Sequence, residues 1–184
     1  MDRVQKAKDF CVGEAKDYQG KLGSELLIQM MLSIEKKALE IMDDSYNKDA
    51  FLTGIYFHDV GRVLSDGDDH PEKGFELFEN NFKENYSGSE IEIIKDCCLN
   101  HGSDSNPTTR EGKLLKIFDK SVVFEPEVMM VVLKNMILKN NDWNTSYDKF
   151  LEKMNKWHSK IPDEKIRNNH QATLDYLNSL RKNG

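Results

Sequence analysis

The sequence predicts an all-α protein, a single-domain array of several helices, from three observations. Apolar residues recur at three- and four-residue intervals in one segment after another. No stretch sustains the alternation of a strand. Neither an internal repeat nor a low-complexity tract interrupts the pattern. At 184 residues the chain is long enough for one domain and short for two, so one domain over 1–184 is expected.

Taken in order, Val4, Ala7, Phe10, Cys11 and Ala15 set a first helical stripe that ends near Tyr18-Gln19-Gly20. Ser24 is expected to cap a second helix, with Leu27, Met30, Met31, Ile34, Ala38 and Ile41 as its buried stripe until Asp43-Asp44-Ser45 breaks it. From Lys48 to His58, Ala50, Phe51, Gly54, Ile55 and Phe57 make a helix apolar nearly all round. It runs straight into His58-Asp59, which places that polar pair among apolar neighbours. After a Gly- and Asp-rich loop, Ser65 to Asp69, a helix begins near His70-Pro71, with Pro71 suited to a first turn and Phe75, Phe78 and Phe82 inside. Asp66, Asp68 and Asp69 in that loop read as a solvated turn.

Ile91, Ile94, Cys97 and Cys98 mark a short helix ending near His101-Gly102, and the following SDSNPTT is a turn by composition. Thr109 can cap the next helix, where Leu114, Leu115, Ile117 and Phe118 surround Asp119 with apolar side chains. Glu127 to Leu138 is apolar enough for a core helix, and Tyr147 to His158 is amphipathic through Phe150, Leu151, Met154 and Trp157. Asp163 to Arg181 reads as a terminal helix. These last segments read as cover rather than chemistry, and His158 and His170 upon them as poor ligands.

With 38% hydrophobic and 32% charged residues, the composition is that of a compact core under a charged surface. No apolar run reaches the roughly 20 residues that span a bilayer, and MDRVQKAKDFC lacks an apolar signal region. A cytoplasmic protein without membrane partners is expected. Cys11, Cys97 and Cys98 are an odd set without CxxC spacing, so three reduced thiols are expected, mostly in packing roles. A net charge of −6 argues against a nucleic-acid polymer, which needs clustered Lys and Arg.

Four short motifs carry the chemistry: FHDVGR at 57–62, DDHPEKG at 68–74, LNHG at 99–102 and IFDK at 117–120. Each lies at a helix boundary or on an apolar helix. His58 and Asp59, as neighbours, point about 100 degrees apart on a helix, so they share one cation only at the helix end, or bridge two. Imidazole and carboxylate together suit Mn, Fe, Ni, Co, Zn or Mg. Such a cation acidifies water and polarises a phosphoryl oxygen. Asp59 is the natural bridge or base. Arg62, a little less than one turn beyond Asp59, is placed to reach a phosphate.

This ordered set resembles the HD-domain metal-dependent phosphohydrolases, whose signature runs His, His-Asp, two further His in many members, and a late Asp. The resemblance covers roughly residues 24–125 and implies an HD-like core there, with helices from 126 to 184 packing on it. It implies His58, Asp59 and Asp119 as core metal ligands, and His70 and His101 as second-metal or phosphate contacts. Arg62 matches the basic residue after the HD pair. The family's first histidine has no counterpart, because no histidine precedes His58. Family spacing puts Met30, or Gln29 with a longer loop, at that vacant-ligand position, although Met30 also fits the apolar stripe as packing.

Two functions follow. One is a metal-dependent phosphohydrolase acting on a small phosphomonoester or phosphoanhydride, a nucleotide among them, with Asp59 and Arg62 as catalytic residues and a divalent metal as cofactor. The other, suggested by the missing histidine, is a degenerate HD domain that binds metal, nucleotide or a protein partner without turnover.

Overall fold

A computed structural model describes residues 2–182. Its helices are α1 (Arg3–Ala15), α2 (Ser24–Ile41), α3 (Lys48–Val60), α4 (His70–Asn81), α5 (Gly88–Leu99), α6 (Arg110–Ser121), α7 (Pro126–Asn140), α8 (Trp143–Ser159) and α9 (Glu164–Lys182). Short 3-10 turns at Gly61–Val63, Lys83–Asn85 and Val122–Phe124 follow α3, α4 and α6. The expected all-helical array is what the chain forms, with no strand among the described residues. The chain divides into two compact units, one up to Lys116 and one from Ile117, with the division falling inside α6.

The first unit is built round α3, which packs against α1, α2, α4 and α5. Phe51, Ile55, Tyr56, Phe57 and Val60 of α3 are fully buried, as an all-round apolar helix demands. Phe57 meets Phe78 and Phe82 edge-on, each 5.5 Å between centroids, and stacks on Phe10 at 6.0 Å. Cys11, Cys97 and Cys98 are buried and unbridged, and burial pushes their thiols up.

Helix ends in this unit are tied down by charge and by caps. Arg3 donates to Asp49 in the first turn of α3 at 2.9 Å and pairs with Glu90 in the first turn of α5 at 2.5 Å. Its guanidinium also lies 4.5 Å from the centre of the Tyr86 ring. Ser87 and Glu90 form a capping box on α5, and Thr109 Oγ1 accepts from Gly112 N at 2.9 Å, the expected cap of α6. Ser24 does not cap α2. It is already the first helical residue, and Gly23, with φ of 78°, takes the cap position without a side-chain bond.

One close contact decides where α4 lies. A Cβ on Gly61 would overlap the backbone of His70 and Gly74, and a Cβ on Gly74 would overlap the Phe57 carbonyl. Backbone therefore rests on backbone where α4 meets the end of α3. That contact sets His70, the first residue of α4, beside the last turn of α3.

In the second unit α8 packs between α7 and α9, burying Tyr147, Phe150, Leu151 and Met154 on one face of α8. The Tyr147 hydroxyl donates to Leu177 O at 2.8 Å. The core-helix expectation for 127–138 is corrected. On α7 Val128 and Val132 are buried, but Met130 and Leu138 are 64% and 72% exposed. Overall apolarity marks a helix that can be covered, and α7 is covered on one side. No helix among the described residues is long and apolar enough to cross a membrane.

Candidate metal centre

The site grows from the end of α3. His58 and Asp59 occupy its last turn, fully and almost fully buried, and the 3-10 turn after it carries Arg62. His70 opens α4, and His101 follows the end of α5 by two residues. Asp59 stands between these groups. Its Oδ1 lies 3.1 Å from His70 Nε2 and 3.6 Å from His101 Nε2, and its Oδ2 lies 3.7 Å from His58 Nε2. The His-Asp pair lies at the helix end, with one carboxylate oxygen toward His58 and the other toward His70 and His101.

The three imidazoles share one local device. His58 Nδ1 bonds to Ile55 O at 2.6 Å, His70 Nδ1 to Gly67 O at 2.8 Å, and His101 Nδ1 to Cys98 O at 2.7 Å. In each case the acceptor is the carbonyl three residues back. A carbonyl only accepts, so Nδ1 carries the proton and Nε2 of the neutral ring keeps its lone pair. All three Nε2 atoms face the same carboxylate.

The donor set fits a divalent cation. Asp59, His70 and His101 each offer a ligand atom, all within 4.8 Å of one another. His70 Nε2 and His101 Nε2 stand only 3.3 Å apart. Lone pairs aimed at each other and at an ionised carboxylate repel unless a cation or a proton lies among them. Backbone anchoring of the distal nitrogen is the usual support of a metal-ligating histidine. Burial alone would raise the Asp59 carboxyl, but His58, His70, Arg62 and His101 outweigh it and hold Asp59 well below the usual carboxylate range, the rings doing so when a proton on Nε2 takes the place that a cation would fill. It stays ionised, as a ligand must.

The expectation of an incomplete site is thereby corrected. The set is intact, with three imidazoles and Asp59 converging without any donor from α2. Met30 is buried packing on the inner stripe of α2, and Gln29 donates to Ser33 Oγ of its own helix at 3.1 Å. The vacancy was inferred by counting one histidine per family position. His70 and His101 supply the imidazole nitrogen, and the Gly61–Gly74 contact is what brings His70 close with α4.

Arg62 Nε donates to Asp59 Oδ1 at 2.8 Å, so its first role is to hold the carboxylate. Asp119 is buried on α6 with the Lys120 ammonium against it. In the 65–69 loop, Asp66 is not simply solvated. It accepts from the Tyr18 hydroxyl and from Lys21 N, the latter at 2.8 Å.

Asp96 was missed in the sequence. It is buried on α5 and accepts from Asn100 Nδ2 at 2.7 Å, Thr109 N at 2.8 Å and Thr109 Oγ1 at 2.6 Å. It thus binds both ends of the segment that carries His101. Lys116 Nζ adds bonds to Ser103 O at 3.0 Å and Ser105 O at 2.5 Å. The available signal was an acidic residue inside an apolar run, four residues before an Asn and ahead of a Thr-Thr cap.

His158 and His170 lie elsewhere, in the second unit. His158 Nε2 bonds to Arg167 O at 2.9 Å, and His170 lies flat on Phe124 with ring centres 4.8 Å apart. Among the described residues neither joins a group of three metal-ligand side chains.

No curated protein and no solved structure matches the chain. The HD domain family does, over residues 26–122, a span that takes in His58, Asp59, His70, His101 and Asp119. With more than half its length in that match and the His-Asp centre assembled inside it, the chain belongs to the HD-domain family.

Proposed function

We propose that the protein is a metal-dependent phosphohydrolase acting on a small phosphomonoester or phosphoanhydride, nucleotides included. The observation that carries this reading is the convergence of three backbone-anchored imidazoles on one buried, ionised aspartate. His58, Asp59, His70 and His101 would hold a divalent ion of the Mn, Fe, Ni, Co, Zn or Mg group. Asp119 is proposed as a further ligand because it is the late buried aspartate inside the family match. When bound, such an ion supplies Lewis acidity toward a phosphoryl oxygen and acidifies water.

The side chains divide the remaining work. Asp59, held ionised, is suited to ligation and to orienting an attacking water by accepting its hydrogen bond, more than to net removal of a proton. Arg62, a guanidinium fixed at its Nε by Asp59, is proposed to meet the phosphate and offset its developing charge. His70 and His101 are proposed to share in phosphate contact. A net charge of −6 disfavours a nucleic-acid polymer as substrate. Three unbridged cysteines accord with the cytoplasmic location proposed here.

The degenerate-domain alternative rested on a missing histidine, and with the set intact no observation favours it. The test is metal analysis of protein purified without chelator, followed by a phosphatase screen with Mn, Ni, Co and Mg. Stoichiometric metal with turnover abolished in Asp59→Ala is the expected result. Absence of both metal and turnover overturns the reading.

A further inference from the structure

We propose that Tyr18 and Asp66 form a latch that sets the orientation of His70, making both of them positioning residues for the metal centre. The inference rests on the metal-centre reading for its consequence, though not for its geometry.

The three anchoring carbonyls are not equally secure. Ile55 O belongs to α3 and Cys98 O to α5, so the helices themselves hold the acceptors of His58 and His101. Gly67, the acceptor for His70, lies in the irregular segment between the 3-10 turn and α4. A loop carbonyl can rotate away, and with it the bond that places the proton on His70 Nδ1. Some other restraint must hold the loop.

Asp66, the neighbour of Gly67, supplies it. One carboxylate oxygen accepts from the hydroxyl of Tyr18, a side chain only 6% exposed, and the other accepts from Lys21 N at 2.8 Å. The Lys21 ammonium reaches Asp66 O at 3.4 Å. Gly20 leaves the room, since a Cβ there would overlap the Asp66 carboxylate. Within the loop, Ser65 Oγ bonds to Asp69 Oδ1 at 2.5 Å and accepts from Gly67 N at 3.3 Å. Gly67 is thus restrained from within the loop by Ser65 and from outside by the connection between α1 and α2. Tyr18, Gly20 and Lys21 all precede residue 26, where the family match begins. A segment outside the HD domain therefore reaches into its metal centre, through Asp66 and the Gly67 carbonyl.

The test uses the full chain with Tyr18→Phe, Asp66→Ala and Asp66→Asn, each also combined with His70→Ala. In the metal-free proteins, long-range proton–nitrogen NMR spectra report which ring nitrogen of each histidine is protonated. His70 is expected to lose its single Nδ1–H form in Tyr18→Phe and Asp66→Ala while His58 and His101 keep theirs. Asp66→Asn, which retains an acceptor oxygen, should recover most of it. Titration with Mn2+ should show about tenfold weaker binding in Asp66→Ala, with no further weakening when Asp66→Ala is added to His70→Ala.

An unchanged His70 in Asp66→Ala overturns the latch. So does an equal change in all three rings, or an Asp66→Ala loss of Mn2+ affinity that persists undiminished in the His70→Ala background. If the wild-type chain takes up none of Mn2+, Fe2+, Ni2+, Co2+, Zn2+ and Mg2+, the metal-centre reading fails by itself, and the NMR arm still decides whether Tyr18 and Asp66 orient His70.

Discussion

The protein has five histidines, and they fall into two groups that differ in how the ring is held. His58, His70 and His101 each turn Nδ1 back onto the carbonyl three residues earlier and present Nε2 to Asp59. His158 does the reverse, engaging Nε2 with a carbonyl nine residues later, and His170 is held by its flat face on Phe124. Both groups are on helices or at their ends, and composition alone does not tell them apart. The difference teaches what would mark the proposed ligand histidines: which nitrogen the backbone occupies and what the other one faces. Rings used for packing spend the face or Nε2.

The comparison would break most completely at Asp59. Asp59→Ala removes the carboxylate that the three Nε2 atoms face, and metal affinity is expected to fall by more than about a hundredfold, beyond the effect of losing an outer-sphere partner. Calorimetric titration with Mn2+ checks it, and retained stoichiometric binding would refute the arrangement. Next come the histidines themselves. Alanine at His70 or His101 should weaken metal binding about 10- to 100-fold, whereas alanine at His158 or His170 should leave it unchanged in the same titration. A metal effect from either of the latter pair would erase the distinction.

A smaller effect separates the rings from their scaffold. Gly61→Ala or Gly74→Ala forces α4 away from α3 and is expected to cost about 1–3 kcal/mol, as overpacking does, measured by denaturant unfolding. Residual folded protein should bind metal as weakly as His70→Ala, because His70 moves with α4. The least effect is an acid one, which marks where the fold rather than the site gives way. Burial alone would raise the Glu90 carboxyl, but Arg3 and Ser87 outweigh it and hold it at about 2, against an ordinary 4.5. Its folded value lies below its unfolded one, so the stabilisation is complete above the ordinary value and is lost as pH falls toward 2. With Arg3 a third exposed, screening leaves about 0.2–1 kcal/mol. Glu90→Gln should flatten that part of the stability–pH curve. Metal released at milder pH is then a property of the centre.

Much of this was legible in the sequence. Helical periodicity located α3 and its all-round burial, and the order of His58-Asp59, His70 and His101 at helix boundaries pointed to one site. The failures have physical causes. Counting donors against a family pattern produced a vacancy at Met30 because spacing along a chain carries no distance between helices. Two glycines set that distance, and their message is the absence of a side chain. Ser24 was misread because cap preference does not say which residue already has helical dihedrals. Met130 and Leu138 were misread because hydrophobicity states what a helix can bury and leaves open what is there to cover it. Asp96 stayed hidden because its partners, Asn100 and Thr109, converge only once the turn between α5 and α6 has closed.

The backbone contact between Gly61 and Gly74 has a practical consequence for anyone redesigning the protein. The proposed ligand residues could be exchanged for other donors to retune metal preference, since each ring or carboxylate is a separate choice. The two glycines admit no such trade, because any substituent enlarges the gap the site is built across. The positions with the least chemistry in the neighbourhood are therefore the ones a library should leave alone.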